Sequence, residues 1–294
     1  MKTPEKSDEG PSGRIKPILK WAGGKSGLMS QLTPLFPKTY RKYFEPFIGG
    51  GAVFFSLDFS GLSFINDLNT ELIDLYETVR DEPQKLMTAL DALSKQYCED
   101  FYYQLRSTKP DTRVDRAART IFLNKTGFNG LYRQNSKGEF NVPFGKRIQC
   151  PALYDRDNFL RASSLLQRAT LSSIDFEELI NQAGAGDFVY CDPPYEPLSR
   201  TSSFNAYHGS GFSHDDQRRL KDACIRAQQR GAFVVISNSA ADFIKELYSD
   251  CQLTYIAARR AINSKGSSRG AIDEVAVLLA PIDNSLRTTS VPPC

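Results

Sequence analysis

At 294 residues, with a net charge of +3, 40% hydrophobic and 24% charged residues, the chain has the composition of a soluble globular protein of one large domain or two modest ones. No apolar stretch approaches the roughly 20 residues of a membrane span, and Met1–Gly10 has no apolar signal-peptide core, so a soluble, cytoplasmic protein without a membrane partner is expected. Six cysteines, at 98, 150, 191, 224, 251 and 294, show no C-x-x-C spacing and only two histidines accompany them, which argues against a zinc site and a disulfide framework; no metal is expected.

Residues 1–14 are polar, with Pro, Gly and Ser, and read as a disordered tail. Leu19-Lys20-Trp21-Ala22-Gly23-Gly24-Lys25-Ser26 invites comparison with a phosphate-binding P-loop, but that motif needs a glycine five positions before the Gly-Lys pair, where Leu19 stands. What remains is the chain's one Trp, a Gly-Gly pair and a flanking lysine. This is either a turn with a buried Trp or a place where backbone approaches a ligand. Tyr43–Phe47 reads as a strand running into Ile48-Gly49-Gly50-Gly51-Ala52-Val53-Phe54-Phe55, a glycine turn that opens an apolar helix. Strand, glycine turn and helix make the nucleoside or phosphate cradle of Rossmann-like folds. The next strand, Leu62–Ile65, ends at Asn66-Asp67, 16 residues past Gly51; an acid there is placed to grip ribose hydroxyls.

From Glu71 to Ser94 apolar residues recur at helical spacing, which predicts two helices broken near Pro83. A further helix is predicted from Arg113 to Leu123. This block interrupts the α/β alternation and marks an inserted domain. Glu71–Asp100 holds 3 basic and 8 acidic residues, whereas Phe101–Thr170 holds 13 basic and 5 acidic, a +8 segment in a +3 chain. Such clustering is the footprint of a phosphate-binding surface, or of a merely solvated face. Within it, glycines 127, 130, 138 and 145 punctuate aromatic and polar residues from Asn124 to Arg147, the texture of a hairpin or long loop. Arg, Lys and Asn interleaved with Phe and Tyr suit contact with phosphates and bases.

The alternation resumes with a helix near 157–168, a strand at Ala169–Leu171, a helix near 176–181 and a buried strand, Phe188–Cys191. That strand stops at Asp192-Pro193-Pro194-Tyr195, because proline has no N–H for a ladder. A carboxylate, a rigid carbonyl and an aromatic face are thus held at a strand's carboxyl end, where open α/β sheets bind ligands. The trio suits a flat ring bearing an amine; a plain Asp turn is the alternative. A long polar loop follows to Phe212, then a helix capped by Ser213 with Asp216, and a strand at Phe233–Asn238. Strands at Leu253–Ala257 and Glu274–Leu279 flank a basic loop, 259–270, a second candidate for phosphate contact.

Cradle, strand-end acid, basic insert and Asp-Pro-Pro-Tyr point together to group transfer onto an amine of a base. An exocyclic amine is a poor nucleophile, because its lone pair is delocalised into the ring. Two acceptors on its N–H groups, Asp192 and the Pro193 carbonyl, pull the nitrogen toward tetrahedral geometry and favour the developing positive charge. Tyr195 would stack on the base.

From about Leu19 to Leu279 the chain resembles the Dam-type DNA adenine methyltransferases, of the alpha group and D12 class, which methylate N6 of adenine in GATC. The resemblance rests on Leu19–Lys25, Glu45–Gly51, Asn66-Asp67, Gly127–Leu131, Gly138–Gly145 and Tyr190–Tyr195, in that order. It implies an α/β fold: a Rossmann-like S-adenosylmethionine-dependent methyltransferase sheet with an inserted, mostly helical DNA-recognition domain carrying a β-hairpin. It places the catalytic domain at 15–69 and 156–283, the recognition domain at 70–155 with its hairpin at about 126–146, and a tail at 284–294. It implies S-adenosylmethionine as cofactor, double-stranded DNA as partner and a base flipped out for reaction; a monomer in solution is expected.

Position by position, the resemblance implies that Trp21, Lys25, Phe47, Gly49, Gly51, Asp67 and Asp192 surround the cofactor, and that Asp192, Pro193, Pro194 and Tyr195 carry catalysis. Lys20 would read the first guanine. Phe128, where the family commonly has an inserting tyrosine, keeps the ring and loses the hydroxyl, and Asn129 would hold the opened region. Leu131, Arg133 and Pro143 match base-pair contacts, Arg133 as donor to the second guanine; Asn135 and Lys146 match phosphate contacts. Thr126 and Tyr132 also depart from the family pattern. The competing readings are methylation of a cytosine N4 or RNA adenine amine, and an inactive DNA-binding homologue. A cytosine C5 mechanism needs a Pro-Cys nucleophile, and the chain has Cys150-Pro151 instead.

Overall fold

The computed structural model describes residues 13–135, 137–197, 212–258 and 272–281. Residues 1–12 of the expected tail, 198–211 of the long loop, the basic loop 259–270 and the tail 284–294 lie outside the described residues.

Among the described residues, seven strands form one sheet: β1 (Lys42–Glu45), β2 (Leu62–Asn66), β3 (Ala169–Ser172), β4 (Phe188–Cys191), β5 (Phe233–Ser239), β6 (Gln252–Ala258) and β7 (Ile272–Leu279). Their order is β3-β2-β1-β4-β5-β7-β6. Neighbours from β3 to β5 are parallel, and β7 runs antiparallel to both β5 and β6. Chain order reverses between β1 and β4; such a switch point opens a crevice at the carboxyl ends of the strands. Glu45 ends β1 there, and Asp192 follows the last residue of β4.

Side chains alternate across a strand, so β1 and β4 feed cores on both faces of the sheet. Tyr43, Phe188 and Tyr190 join one buried cluster, and Phe44, Val189 and Cys191 the other. The first cluster also takes in the helices between β2 and β3: α2 (Thr70–Asp81), α3 (Pro83–Ser94), α4 (Glu99–Ser107) and α5 (Arg113–Thr126), with α1 (Met29–Leu32) before them and α6 (Arg156–Leu166) after. Leu72, Tyr76, Leu90, Tyr102 and Ile121 therefore share one apolar core with the sheet. On the opposite face lie α7 (Phe176–Ile180), α8 (His214–Gln229) and α9 (Asp242–Leu247). Among the described residues no helix is long and apolar enough to cross a membrane.

Local chemistry sets the element ends. Pro83 opens α3, where its missing N–H costs no helical bond. Ser213 and Asp216 form a capping box on α8. The helix expected after the glycine turn is not formed: only a 3-10 turn, Phe54–Ser56, follows. Ala52 through Phe55 are all buried, so no amphipathic period favours a helix, and Ser56 Oγ donates back to the Val53 carbonyl at 2.8 Å. Helices α1, α4 and α9, only 4, 9 and 6 residues long, were not expected. The 126–146 hairpin is held by two isolated antiparallel bridges, Gly127 with Phe144 and Gln134 with Phe140, rather than by a continuous ladder. Pro143 lacks an N–H to extend it, and Asn129 turns the chain at φ 55°.

Candidate active site

The crevice between β1 and β4 is a cleft of about 1120 Å3. On the β1 side, Gly49 and Gly51 have φ of +48° and +71°, which only glycine adopts without strain. Asp67, just past β2, accepts from Gly49 N with Oδ2 and from Asn69 N with Oδ1, both at 3.0 Å. Burial raises the pKa of this carboxyl, and those two bonds oppose the rise. Asn66 ties the strand ends together: its Nδ2 donates to the Pro46 and Ile174 carbonyls, and its Oδ1 accepts from Ser172 Oγ. Trp21, Lys25, Phe47, Gly49, Asp67 and Asp192 all line the cleft, whereas Gly51 packs behind it, where a Cβ would come within 2.6 Å of Phe55.

Asp192, Pro193, Pro194 and Tyr195 line the same cleft from β4. The buried Lys25 places Nζ 2.9 Å from Asp192 Oδ1, 3.9 Å from Glu274 Oε2 and 4.5 Å from the Tyr195 ring centroid. It also donates to the Gly23 carbonyl at 2.6 Å. The Tyr195 hydroxyl donates to Glu274 Oε2 at 2.7 Å. Burial lifts the Asp192 carboxyl above its ordinary pKa; Lys25 opposes this and Glu274 adds to it. A relay sets the Pro-Pro backbone: Gln217 Nε2 donates to the Pro194 carbonyl, Asn238 Nδ2 donates to Gln217 Oε1, and Glu196 N donates to Asn238 Oδ1. Among the described residues, no hydrogen bond reaches the Pro193 carbonyl. Two acceptors, Asp192 and Pro193 O, thus end a rigid strand beside an aromatic ring.

Comparison with known protein families matches residues 21–262 to the model of the D12 class N6 adenine-specific DNA methyltransferase. The chain belongs to this D12 methyltransferase class. It is 42% identical over 271 residues to the Type II methyltransferase M1.LlaDCHI of Lactococcus lactis subsp. cremoris, across 90% of this chain and 95% of that one. Against the DNA adenine methylase of Escherichia coli (strain K12) it is 35% identical over 268 residues, 90% of this chain and 95% of the relative. Against the DNA N-6-adenine-methyltransferase of Escherichia phage P1 it is 38% identical over 269 residues, 89% of this chain and 35% of the relative.

In this DNA adenine methyltransferase the expected DNA contacts fall on the insert and on the turn before Trp21. Asn124, buried in α5, clasps Lys20 by accepting from its N–H at 2.9 Å and donating to its carbonyl at 2.9 Å, and also donates to the Gly130 carbonyl at 3.1 Å. The exposed Lys20 side chain is thereby set beside the hairpin. Phe128 is 51% exposed, unusual for so large an apolar ring, and Asn129, Pro143 and Lys146 are exposed with it. Arg133 donates from Nε to Asn141 Oδ1 at 2.7 Å, which fixes an otherwise exposed guanidinium. Leu131 is half-buried. Asn135 uses its side chain inside the turn, accepting from Lys137 N and Glu139 N and donating to Glu139 Oε2.

Several methyltransferase residues in and around the cleft were not expected there from the sequence. Glu274 reaches Tyr195 only because β7 pairs antiparallel between β5 and β6, opposite Ser239 and Ile256. Glu45 lines the cleft and was legible only as part of its motif. Asn69, Glu71, Tyr132 and Gln134 form a polar knot under the hairpin. Among the described residues, no group of three or more His, Cys, Asp or Glu is placed to hold a metal ion.

Proposed function

We propose that this methyltransferase transfers a methyl group from S-adenosylmethionine to N6 of an adenine flipped out of duplex DNA, within GATC. The observation that carries the reading is the meeting, in one cleft, of the Asp67–Gly49 cradle with the Asp192–Pro193 acceptor pair.

The residues fit a nucleoside cofactor. The turn at Gly49 sets its backbone beside the half-buried Asp67 carboxylate, an acceptor for ribose hydroxyls, and Phe47 and Phe176 offer aromatic faces along the same wall. A volume of about 1120 Å3 exceeds the roughly 300–1,000 Å3 of a single small-ligand site, which leaves room for a flat base as well. The cofactor supplies an electrophilic methyl on sulfonium. The protein supplies everything that activates the amine.

Asp192 and the Pro193 carbonyl accept the two N6–H groups and hold the nitrogen in line for attack. Tyr195, oriented by Glu274, presents its ring to the base. Lys25 yields Asp192 Oδ1 when the amine arrives and stays near enough to balance the carboxylate. Forming the N6–methyl bond at the expense of the methyl–sulfur bond, whose electron pair stays on the departing thioether, would make one N6 proton acidic, and Asp192, with its raised pKa, is placed to take it.

Incubation with methyl-labelled S-adenosylmethionine and duplexes with and without GATC, followed by nucleoside analysis, tests the reading. Label is expected on N6 of adenine in the GATC duplex. Label on another base, on RNA alone, or on both duplexes equally would overturn the substrate assignment.

A further inference from the structure

Tyr132 lies between Leu131 and Arg133, two matched base-pair contacts, yet its own side chain turns inward. Its ring stacks on Trp21 with centroids 4.8 Å apart and planes 24° apart. Trp21 in turn covers the glycine turn, so closely that a Cβ on Gly49 would come within 2.7 Å of its Nε1 and one on Gly50 within 2.7 Å of its Cβ. The Tyr132 hydroxyl donates to Glu71 Oε2 at 3.0 Å and accepts from Asn69 Nδ2 at 3.1 Å and Gln134 Nε2 at 2.9 Å. One donation and two acceptances fill the capacity of a phenol.

Both ends of this side chain lead to the same place. Asn69, which binds the hydroxyl, donates its own N–H to Asp67 Oδ1, and Asp67 Oδ2 holds Gly49 N. The ring reaches Gly49 through Trp21. The hairpin is therefore tied to the cradle twice, once by stacking and once by hydrogen bonds, through one residue. Glu71 anchors the knot from α2, accepting from Thr120 Oγ1 at 2.6 Å and from Gln134 Nε2 at 3.0 Å. A packing contact would need only the ring. A phenol whose three hydrogen bonds go to Asn69 beside the cradle, to Glu71 of α2 and to Gln134 of the hairpin is a built junction.

We propose that Tyr132 is a positioning residue that couples recognition of the DNA site to cofactor binding. The bistable element is the hairpin, either docked through Tyr132 onto Trp21, as here, or released. Cognate duplex engages Leu131 and Arg133 and favours the docked state, in which Trp21 is pressed onto the Gly49–Gly51 turn. Bound cofactor favours the same state from the other side. Such coupling is reciprocal, so cognate DNA tightens the cofactor by the factor with which the cofactor tightens cognate DNA. The inference rests on the reading of the cleft as a cofactor site and of the insert as the DNA reader.

The test is calorimetric titration of the full chain with S-adenosylhomocysteine, alone and with saturating GATC or scrambled duplex. In the wild type, cognate duplex is expected to tighten the analogue at least about 5-fold more than scrambled duplex. Tyr132→Phe keeps the stack and removes the hydroxyl links; it should shrink that ratio. Tyr132→Leu removes both and should bring the two duplexes to the same effect. Because Tyr132→Phe preserves the ring volume, it reads the coupling even where Tyr132→Leu fails to fold. Affinities that fall in parallel with the ratio intact mark a purely structural role and overturn the proposal, as does a wild type that binds analogue and duplex with no preference between duplexes. A wild type that binds no analogue overturns the cofactor reading itself.

Discussion

Lys25 Nζ and Asp192 Oδ1 stand 2.9 Å apart in the cleft, the lysine side chain 3% exposed and the aspartate 21%. The turn that begins at Trp21 thus delivers a cation to the acceptor at the end of β4. Burial raises the Asp192 pKa and Lys25 is the main opposing influence. Asp192 must be ionised to accept an amine, so activity is lost as pH falls through its raised pKa. Without the cation that value rises further. In Lys25→Gln the acidic limb of the kcat/KM profile should therefore move to higher pH, and profiles of both proteins across the acidic range check it. A limb that stays put, or moves down, would show that Lys25 does not set the charge of Asp192.

Asp192→Ala removes one of two acceptors that act on the reacting nitrogen and touches none of the exposed hairpin residues. Loss of a preorganised electrostatic contact of this kind costs about 100-fold to 1,000-fold in rate, and here the group also takes the proton. Single-turnover methylation should fall by at least that much, while DNA affinity measured by fluorescence anisotropy survives. Equal activity in the variant would remove Asp192 from the mechanism.

The parts of the site that were legible in the sequence are those fixed by local chemistry. Two prolines ended β4 at Asp192, Pro83 separated α2 from α3, and Ser213 with Asp216 capped α8. Asp67 was legible because strand and acid are adjacent in the chain. Glu274 was not, because its place beside Tyr195 is set by the β5–β7 register, a pairing between segments far apart in sequence. Lys25 was expected near the cofactor, and nothing in its neighbours told that its ammonium would reach β4. The helix expected from the glycine turn failed where burial on every side removed the amphipathic period that a helix needs.

Arg133 presents a guanidinium braced by Asn141, through Nε to its side chain at 2.7 Å and Nη2 to its carbonyl at 3.3 Å. A braced fork suits bidentate donation to a guanine. Arg133→Ala should lower discrimination at one base pair by about 1–3 kcal/mol. Rates on duplexes substituted singly at each position of the site check this, and unchanged selectivity at all four positions counts against Arg133 as a reader. Lys146→Ala, by contrast, should weaken binding on all duplexes alike and flatten its dependence on salt.

Glu45, at the end of β1, is 2% exposed and accepts from the Tyr43 hydroxyl at 2.7 Å. Burial pushes its pKa well above the ordinary value; the bond from Tyr43 resists, and the charges of Asp192 and Asp67 push it further. With the folded pKa above the unfolded one, its contribution to stability is fully present below the unfolded pKa of about 4.3 and is lost as pH rises through the folded value. Glu45→Gln keeps an acceptor for Tyr43 and has no proton to lose. The variant should therefore gain on the wild type as pH rises, by up to about 1.4 kcal/mol for each unit by which folding raises the pKa. Urea unfolding of both proteins without ligand, between about pH 4.5 and about pH 9, measures the difference. It should widen with pH and level off once the buried carboxyl is ionised; two parallel curves would mean that folding does not raise the pKa of Glu45.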